Sequence, residues 1–248
     1  MPYTPAPDSL AGRVLLVSGA SGGLGRAASL ALAEHGATVV LLGRTLKKLE
    51  RVYDEIEAHG GPKPAMLVAD LASAGPTEYQ TVAQTIAQEF GRLDGLLHSA
   101  AELGTLTPLE LYDLQTWQRV LAVNLTAPFL LTRACLPLLK RSDDASVVFT
   151  SADVGRRARA YWGAYAVAAF GLEGMAQILA DELAENTRIR VNTLDPGPVR
   201  TDLRAAAYPG ESPLATPAPE AVMATYLYLL GPDSRGVTGQ ALTAERAM

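Results

Sequence analysis

Several residue types are scarce in this chain of 248 residues, and each shortage narrows the range of functions. A single cysteine, Cys135, allows no disulfide within the chain, which suits a reducing compartment. It lies in the apolar run LLTRACLPLLK, where a small buried side chain is the simpler interpretation and a reactive thiol the alternative. Basic residues number 21 against 26 acidic ones, for a formal net charge of −5. This balance argues against nucleic acid as a partner.

Targeting and membrane signals are also lacking. The first residues, MPYTPAPDSLAGR, contain neither an apolar h-region nor a basic leader, so we expect no signal peptide. No apolar stretch approaches the roughly 18 residues that span a bilayer. We therefore expect no membrane partner and a cytoplasmic location.

Lysine is the third shortage. The chain has Lys47, Lys48, Lys63 and Lys140, and none lies beyond residue 140. Positive side chains in the last part of the chain are therefore arginines, which supply charge but no titratable proton relay.

Short apolar runs alternate with longer periodic segments along the whole chain. The runs predict buried strands, because strands covered on both faces are nearly continuous in apolar residues; they are 13–19, 37–44, 64–70, 92–100, 145–151 and 189–197. Three of the segments between them predict helices that end at glycines, namely Gly36, Gly60-Gly61 and Gly91. Two longer helices are predicted at about 111–140 and 162–186.

This alternation predicts one α/β domain over residues 1–248. Stacked strand–helix–strand units form a parallel sheet with right-handed crossovers. We therefore expect a single-domain Rossmann fold, with a doubly wound, mostly parallel sheet of about seven strands and helices on both faces.

One region, RAAAYPGESPLATPAPE at 204–220, is rich in Pro, Ala and Gly and poorly patterned. A loop this long inside a compact domain is either a functional lid or disordered. It follows the carboxyl end of a predicted strand, where ligands of such sheets bind, which favours a substrate lid at about 202–218.

A glycine-rich loop connects the first predicted strand to the first predicted helix, in LLVSGASGGLGRAASLALA. Gly19 suits a tight turn, Gly23 allows a diphosphate to approach the backbone, and Gly25 allows the helix to pack closely on the sheet. The helix N-terminus offers free N–H groups and a positive dipole to phosphate. This arrangement predicts dinucleotide binding.

The ends of the next two strands bear on which dinucleotide binds. Arg44 follows the second strand, where an acid selects NAD and an arginine accommodates the 2′-phosphate of NADP. The hydroxyls of Ser21 and Thr45 could assist it, although Arg44 could also be a solvated residue at the start of a helix. Asp70 closes the third strand, where it could meet the adenine amino group or serve as a turn or helix-capping acid.

Together these motifs resemble the short-chain dehydrogenase/reductase family over essentially the whole chain. The resemblance rests on the glycine spacing, ADL at 69–71, VNL at 123–125, the helix beginning at Tyr165 and DPGPVRT at 195–201. The segments HSAAELG, FTSADVGRRARAYWGAYA and GPDSRGVTG resemble its YciK-like bacterial branch.

The resemblance implies a cofactor, NADP(H), and residues to bind it. The implied cofactor-binding residues are Gly19, Ser21, Gly23, Leu24, Gly25, Arg44, Asp70, Leu71, Ser99, Ala100, Pro196, Gly197, Val199 and Thr201. In the last motif, Pro196, Gly197, Val199 and Thr201 would meet the carboxamide and the diphosphate. No metal site is expected.

The resemblance also implies four catalytic positions, and the chain departs from two of them. Asn124 matches an asparagine that anchors a water in a proton relay, and Tyr165 matches the general acid. The lysine four residues after the tyrosine, which lowers its pKa, is replaced by Ala169. The serine that holds the substrate oxygen is replaced by Ala152.

Two possible compensations and one further change lie nearby. Ser151 could replace the missing serine, although a shift of one residue along a strand ordinarily moves a side chain to the other face. Arg156, Arg157 and Arg159 could supply charge. The family's Asn-Ala-Gly is Ser99-Ala100-Ala101 here, and Ala101 would crowd the cofactor if its φ were positive.

These observations leave three hypotheses. The chain could be an NADP(H)-dependent enzyme that reduces a small carbonyl compound or oxidises an alcohol, with Tyr165 as proton donor. Tyr165 could also simply pack, and the chain could be a pseudoenzyme that binds NADP(H) or another ligand without turnover, as a sensor or a subunit. It could also be a subunit with an empty site, since the resemblance implies homodimers or homotetramers formed through the two long helices.

Overall fold

A computed structural model describes residues 3–245; residues 1–2 and 246–248 lie outside it, so the predicted domain limits are not described. The strands are β1 (Val14–Ser18), β2 (Thr38–Gly43), β3 (Ala65–Val68), β4 (Gly95–His98), β5 (Ser146–Thr150), β6 (Arg190–Asp195) and β7 (Ala241–Thr243). The α-helices are α1 (Gly23–Glu34), α2 (Leu46–Ala58), α3 (Pro76–Phe90), α4 (Leu114–Leu121), α5 (Ala127–Leu139), α6 (Gly163–Ala184), α7 (Asp202–Ala207) and α8 (Met223–Leu230).

The seven strands form one sheet in the order β3-β2-β1-β4-β5-β6-β7, and every pair is parallel. The predicted fold class is confirmed, and each of the six predicted runs contains a strand. The seventh strand, β7, has only three residues and an exposed outer edge, so it carries no apolar run.

Alternate residues of each central strand face opposite helix layers, as strand geometry requires. In β1, Leu15 and Val17 pack with residues of α1, α2 and α8. Leu16 packs on the other side with residues of α3, α5 and α6. Both faces of the sheet are therefore covered, which explains why its strands are apolar throughout.

The helix predicted at 111–140 is divided. A short 3₁₀ turn occupies Leu109–Leu111, and α4 begins after Asp113, whose carboxylate accepts a hydrogen bond from the Thr116 N–H at 2.7 Å. A π-helical turn, Ala122–Thr126, then joins α4 to α5. Such turns add a residue to the helix and often occur at functional sites.

The expectation that no apolar stretch could span a bilayer was wrong by length and composition. Leu114–Leu139 and Gly163–Ala184 are long and apolar enough, with mean hydropathies of 1.4 and 1.2. Both contribute buried residues to the same core layer against the sheet. A core helix that packs on a fully covered sheet needs an apolar composition. The composition of these two helices is therefore weak evidence that they span a membrane.

The predicted lid at 202–218 is a structured segment. It contains α7, whose first turn is capped by the Thr201 hydroxyl, and a 3₁₀ turn at Pro213–Ala215. Within the lid, the Arg204 guanidinium lies 3.7 Å from the centre of the Tyr208 ring and forms two 2.7 Å hydrogen bonds with Glu211.

A charged cluster lies at the amino ends of the strands, opposite their carboxyl ends. The buried carboxylate of Asp144 pairs with Arg13, Arg190 and Arg235 at 3.1, 3.0 and 3.3 Å. Arg13 precedes β1, Asp144 precedes β5 and Arg190 begins β6. We call these four residues the Asp144 cluster.

Acid should destabilise the fold through His98, the last residue of β4. His98 stacks on Phe149 with a centroid distance of 4.7 Å, and its Nε2 lies 2.8 Å from Thr132 Oγ1. Burial lowers the pKa of His98 from 6.5 to about 3. The folded state then binds fewer protons than the unfolded state between these values, so stability falls as pH drops below 6.5.

The expected loss from His98 is about 2 kcal/mol at pH 5, at roughly 1.4 kcal/mol per pH unit. His98→Gln, which keeps a polar partner for Thr132 but does not titrate, should show a correspondingly shallower decline. Urea unfolding at pH 5 and pH 7.5 measures the difference. Equal declines in both proteins would show that His98 does not control acid stability.

Candidate cofactor and active site

A cleft of about 970 Å³ opens at the carboxyl ends of the strands. The predicted cofactor-binding residues that line it are Gly19, Ser21, Gly23, Leu24, Arg44, Asp70, Leu71, Ser99, Ala100, Pro196, Gly197, Val199 and Thr201. Tyr165, Ser151 and Ala152 line the same cleft. The fold thus gathers residues that are far apart in the sequence around one cavity.

The glycine loop between β1 and α1 requires glycine at two positions. Gly19 has a φ of +72°, and a Cβ there would lie 2.7 Å from the Ala100 backbone. Gly25 lies behind the cleft wall, where a Cβ would come within 2.2 Å of the Gly19 carbonyl oxygen. The N-terminus of α1 begins at Gly23 with no side-chain cap, which leaves its N–H groups available to an anion.

The cleft extends to the end of β2, where Arg44 is exposed and Ser21 lies close to Gly43. Among residues 3–245, no carboxylate forms a salt bridge with Arg44, so its charge is available to a ligand. Asp70 both lines the cleft and closes a local turn, because its carboxylate accepts a hydrogen bond from the Ala72 N–H at 3.1 Å. The turn interpretation and the ligand interpretation of Asp70 are compatible.

Tyr165 lies half-buried in the first turn of α6, with the Trp162 ring 5.7 Å away. Burial raises the pKa of Tyr165 to about 12, and the carboxylates of Asp195 and Asp153 raise it as well. Its phenol is therefore neutral at physiological pH, and the nearby charges oppose its ionisation.

The position of the missing lysine is buried and packs against Gly155. Ala169 is only 6% exposed, and a Cβ added to Gly155 would lie 2.7 Å from the Ala169 Cβ. Of the three nearby arginines, only Arg159 lines the cleft, and it pairs with Asp153 and donates to the Tyr208 hydroxyl. No cation in the described chain replaces the lysine beside Tyr165.

Ser151, the candidate replacement for the missing serine, is among the residues that line the cleft. The strand β5 ends at Thr150, so Ser151 and Ala152 are outside the pleat and both line the cavity. Ser151 is 4% exposed, and its Oγ has no hydrogen-bond partner among residues 3–245. The Ser99 hydroxyl is also buried and has no hydrogen-bond partner among residues 3–245.

Asn124 lies in the π-helical turn, but its side chain does not line the cleft. Its Oδ1 accepts from the Glu102 N–H at 2.8 Å, and its Nδ2 donates to the Glu102 carbonyl at 2.9 Å. The amide therefore fixes the segment after β4 rather than contacting a substrate. Ala101, in that segment, does not have a positive φ, so the condition under which it would crowd the cofactor is not met.

Several residues around the cleft were not found as site residues from the sequence. Asp195 and Asp153 add negative charge near Tyr165, and the lid residues Arg204 and Tyr208 line the cleft together with Trp162, which precedes α6. The sequence signals for Asp195 are its place at the end of a predicted strand and at the start of the motif DPGPVRT. Within residues 3–245, no cluster of three or more His, Cys, Asp or Glu side chains could hold a metal ion.

Comparisons with known proteins agree with this architecture. The family model for short chain dehydrogenases matches residues 13–212. The uncharacterized oxidoreductase YciK of Escherichia coli (strain K12) is 46% identical over 245 residues, which cover 99% of this chain and 96% of that protein. A solved structure from Pseudomonas syringae has a TM-score of 0.97 and 52% identity over 99% of each chain. Another, from Escherichia coli CFT073 and complexed with NADPH, has a TM-score of 0.93 and 47% identity over 96% of this chain and 99% of that chain.

Proposed function

The chain belongs to the short-chain dehydrogenase family, and on this basis we propose that it binds NADP(H) and slowly reduces a small carbonyl compound. The observation that carries the proposal is the position of Tyr165, a neutral phenol in the same cleft as the glycine loop. NADPH would supply the hydride, and Tyr165 would donate the proton to the carbonyl oxygen.

The cleft is suited to a phosphorylated dinucleotide. The glycine positions leave room that a Cβ would fill, and the N-terminus of α1 faces the cavity through Gly23 and Leu24. Arg44 is free to meet a 2′-phosphate. The E. coli CFT073 structure complexed with NADPH supports the same cofactor.

The state of Tyr165 favours reduction over oxidation. Reduction needs the phenol in its neutral form, which is the form present here. Alcohol oxidation needs the phenolate, and with a pKa of about 12 only about one molecule in 10⁵ is ionised at pH 7. In this proposal Ser151 would hold the substrate oxygen after rotation of its side chain towards the cleft, because Ala152 offers no hydroxyl.

A second candidate is a pseudoenzyme that binds NADP(H) without turnover, as a sensor or as part of an oligomer. The paired replacements Ala152 and Ala169, with carboxylates rather than a lysine near Tyr165, favour this alternative. Oxidation of NADPH, followed by its absorbance with a panel of aldehydes and ketones, separates the two candidates. Binding without turnover would support the pseudoenzyme.

Replacing Arg44 tests the choice of cofactor. Arg44→Ser should raise the Kd for NADPH by about tenfold to a hundredfold and leave the Kd for NADH unchanged, because only NADPH carries the 2′-phosphate. Arg51→Ser, which removes an exposed arginine of α2 outside the cleft, is the matched control. Isothermal titration calorimetry gives all the constants, and equal losses for both cofactors would contradict the role of Arg44.

We also propose that two or four copies of the chain associate through α5 and α6. These helices expose Phe129, Val167, Phe170 and Ile178, large apolar side chains that a second copy could cover. Light scattering would contradict this proposal if it gave the monomer mass of 26.1 kDa at micromolar concentration. A cytoplasmic location and the absence of nucleic-acid or membrane partners stay predictions of the sequence.

A further inference from the structure

Asp195 is a buried carboxylate in the cleft wall that the proposed chemistry does not use. It ends β6, is 7% exposed, and its Oδ1 accepts a hydrogen bond from the Gly197 N–H at 2.8 Å. Its other carboxylate oxygen, Oδ2, accepts no hydrogen bond within residues 3–245 and is not one of the fully buried side-chain atoms. Because Asp195 lines the cleft, this oxygen can meet a donor or a positive charge of a ligand.

The protein itself does not neutralise this charge. The nearest cation is Arg156, but its Nε binds Glu173 at 3.1 Å. Its two Nη atoms donate to Thr243 Oγ1 at 3.0 Å and to the Leu242 carbonyl at 2.6 Å. Arg156 forms no salt bridge with Asp195 in the described chain.

The other carboxylates around Asp195 are each paired with an arginine. Asp153 pairs with Arg159 and Glu173 pairs with Arg156, whereas Asp195 forms no salt bridge within residues 3–245. Asp195 thus remains an unpaired negative charge, and this leaves an imbalance of charge at this end of the cleft. Ala169 sharpens this imbalance, because the resemblance places a lysine there.

The family resemblance assigns this end of the cleft to nicotinamide. The two forms of the cofactor differ there in charge, since the ring of NADP⁺ is positive and the ring of NADPH is neutral. A fixed negative charge in a partly desolvated site stabilises the positive form and leaves the neutral form nearly unaffected.

We propose that this site binds NADP⁺ more tightly than NADPH, and that Asp195 sets the preference. The inference rests on the proposed binding of NADP(H). An enzyme with this preference is strongly inhibited by its own oxidised cofactor, whereas a pseudoenzyme with it responds to NADP⁺ in the presence of NADPH.

Calorimetric titration of the intact protein with NADP⁺ and with NADPH tests the inference without any turnover. The expected ratio of the Kd for NADPH to the Kd for NADP⁺ is roughly ten or more, because the attraction between one carboxylate and the positive ring in a partly desolvated cleft is worth at least about 1.4 kcal/mol. Asp195→Asn keeps an acceptor for the Gly197 N–H and removes the charge. It should weaken the binding of NADP⁺ and so lower this ratio of Kd values about tenfold.

Asp202→Asn is the matched control, because Asp202 also lines the cleft but lies exposed on α7, where solvent screens its charge. The ratio of the Kd for NADPH to the Kd for NADP⁺ in Asp202→Asn should equal that of the wild type. Should Asp195→Asn fail to fold, Asp153→Asn removes an exposed carboxylate near Tyr165 and should lower the ratio by a smaller factor.

The outcomes are distinguishable. Equal affinities for the two forms in the wild type, or an unchanged ratio in a folded Asp195→Asn variant, would overturn the inference and leave the proposed function standing. Failure of both NADP⁺ and NADPH to bind would overturn the proposed function as well.

Discussion

Restoring both replaced catalytic positions, with Ala152→Ser and Ala169→Lys in one variant, should raise kcat/KM for NADPH-dependent carbonyl reduction by about 10²- to 10⁴-fold. The serine would add a hydroxyl at a residue that already lines the cleft. The lysine would place a cation one helical turn from Tyr165 and bring its pKa down from about 12.

The same variant also allows a second, independent test of the role of Tyr165. Alcohol oxidation needs the phenolate, so its rate should rise with pH along a limb set by the pKa of Tyr165. That limb should move to lower pH in the restored variant. A pH profile of the NADP⁺-dependent reaction measures the shift.

Gln84→Lys combined with Ala152→Ser is the matched control. Gln84 is exposed on α3, outside the cleft and the proposed subunit interface, so this lysine adds equal charge away from the site. Its gain in the rate of reduction should not exceed that of Ala152→Ser alone. Because Gly155 packs directly on Ala169, thermal unfolding must show that the restored variant is folded. A folded, NADPH-binding variant with no gain in rate would contradict the assignment of these two replacements as the cause of slow catalysis.

Removing the centre of the Asp144 cluster should cost about 3–5 kcal/mol of the free energy of unfolding. Asp144→Ala leaves Arg13, Arg190 and Arg235 without their shared carboxylate. Arg190 is almost fully buried, so its charge would have no water to replace the lost partner. Urea unfolding at neutral pH measures the loss.

Asp143→Ala is a control of the same residue type at the adjacent position. Asp143 is exposed and forms no salt bridge in residues 3–245, so its replacement should change stability by less than about 0.5 kcal/mol. Similar losses in both variants would show that the cluster does not stabilise the fold. NADPH binding by folded Asp144→Ala should be unaffected, because the cluster lies at the opposite ends of the strands from the cleft.

The fold was predictable because both faces of the sheet are buried. Six strands are nearly continuous apolar runs for that reason, and helices between them end at glycines such as Gly36 and Gly91, which have φ of +92° and +73°. β7 was not found because a three-residue edge strand buries too little to leave a pattern. The division of the helix at 111–140 was not predicted, because a π-helical turn uses the same residue types as an α-helix.

The cofactor site was more predictable than the catalytic site. Residues such as Gly19 and Arg44 follow directly on strands, and the carboxyl ends of parallel strands meet at one edge. The placement of Ser151 depended on where β5 ends, which alternation alone does not specify. The surroundings of Asp195 depend on the hydrogen bonds of Arg156, which arise only when β7 lies beside β6.

The strand order also affects how the chain folds during synthesis. β1 pairs on one side with β2, as in Val14 with Thr38, and on the other side with β4, as in Leu15 with Gly95. The β3-β2-β1 half can form soon after residue 68 has left the ribosome, but the second edge of β1 stays open until β4 follows. An open, apolar edge favours intermolecular pairing. The edge of the growing sheet therefore stays open first at β1, until residues 95–98 have emerged, and then at β4, until residues 146–150 have emerged.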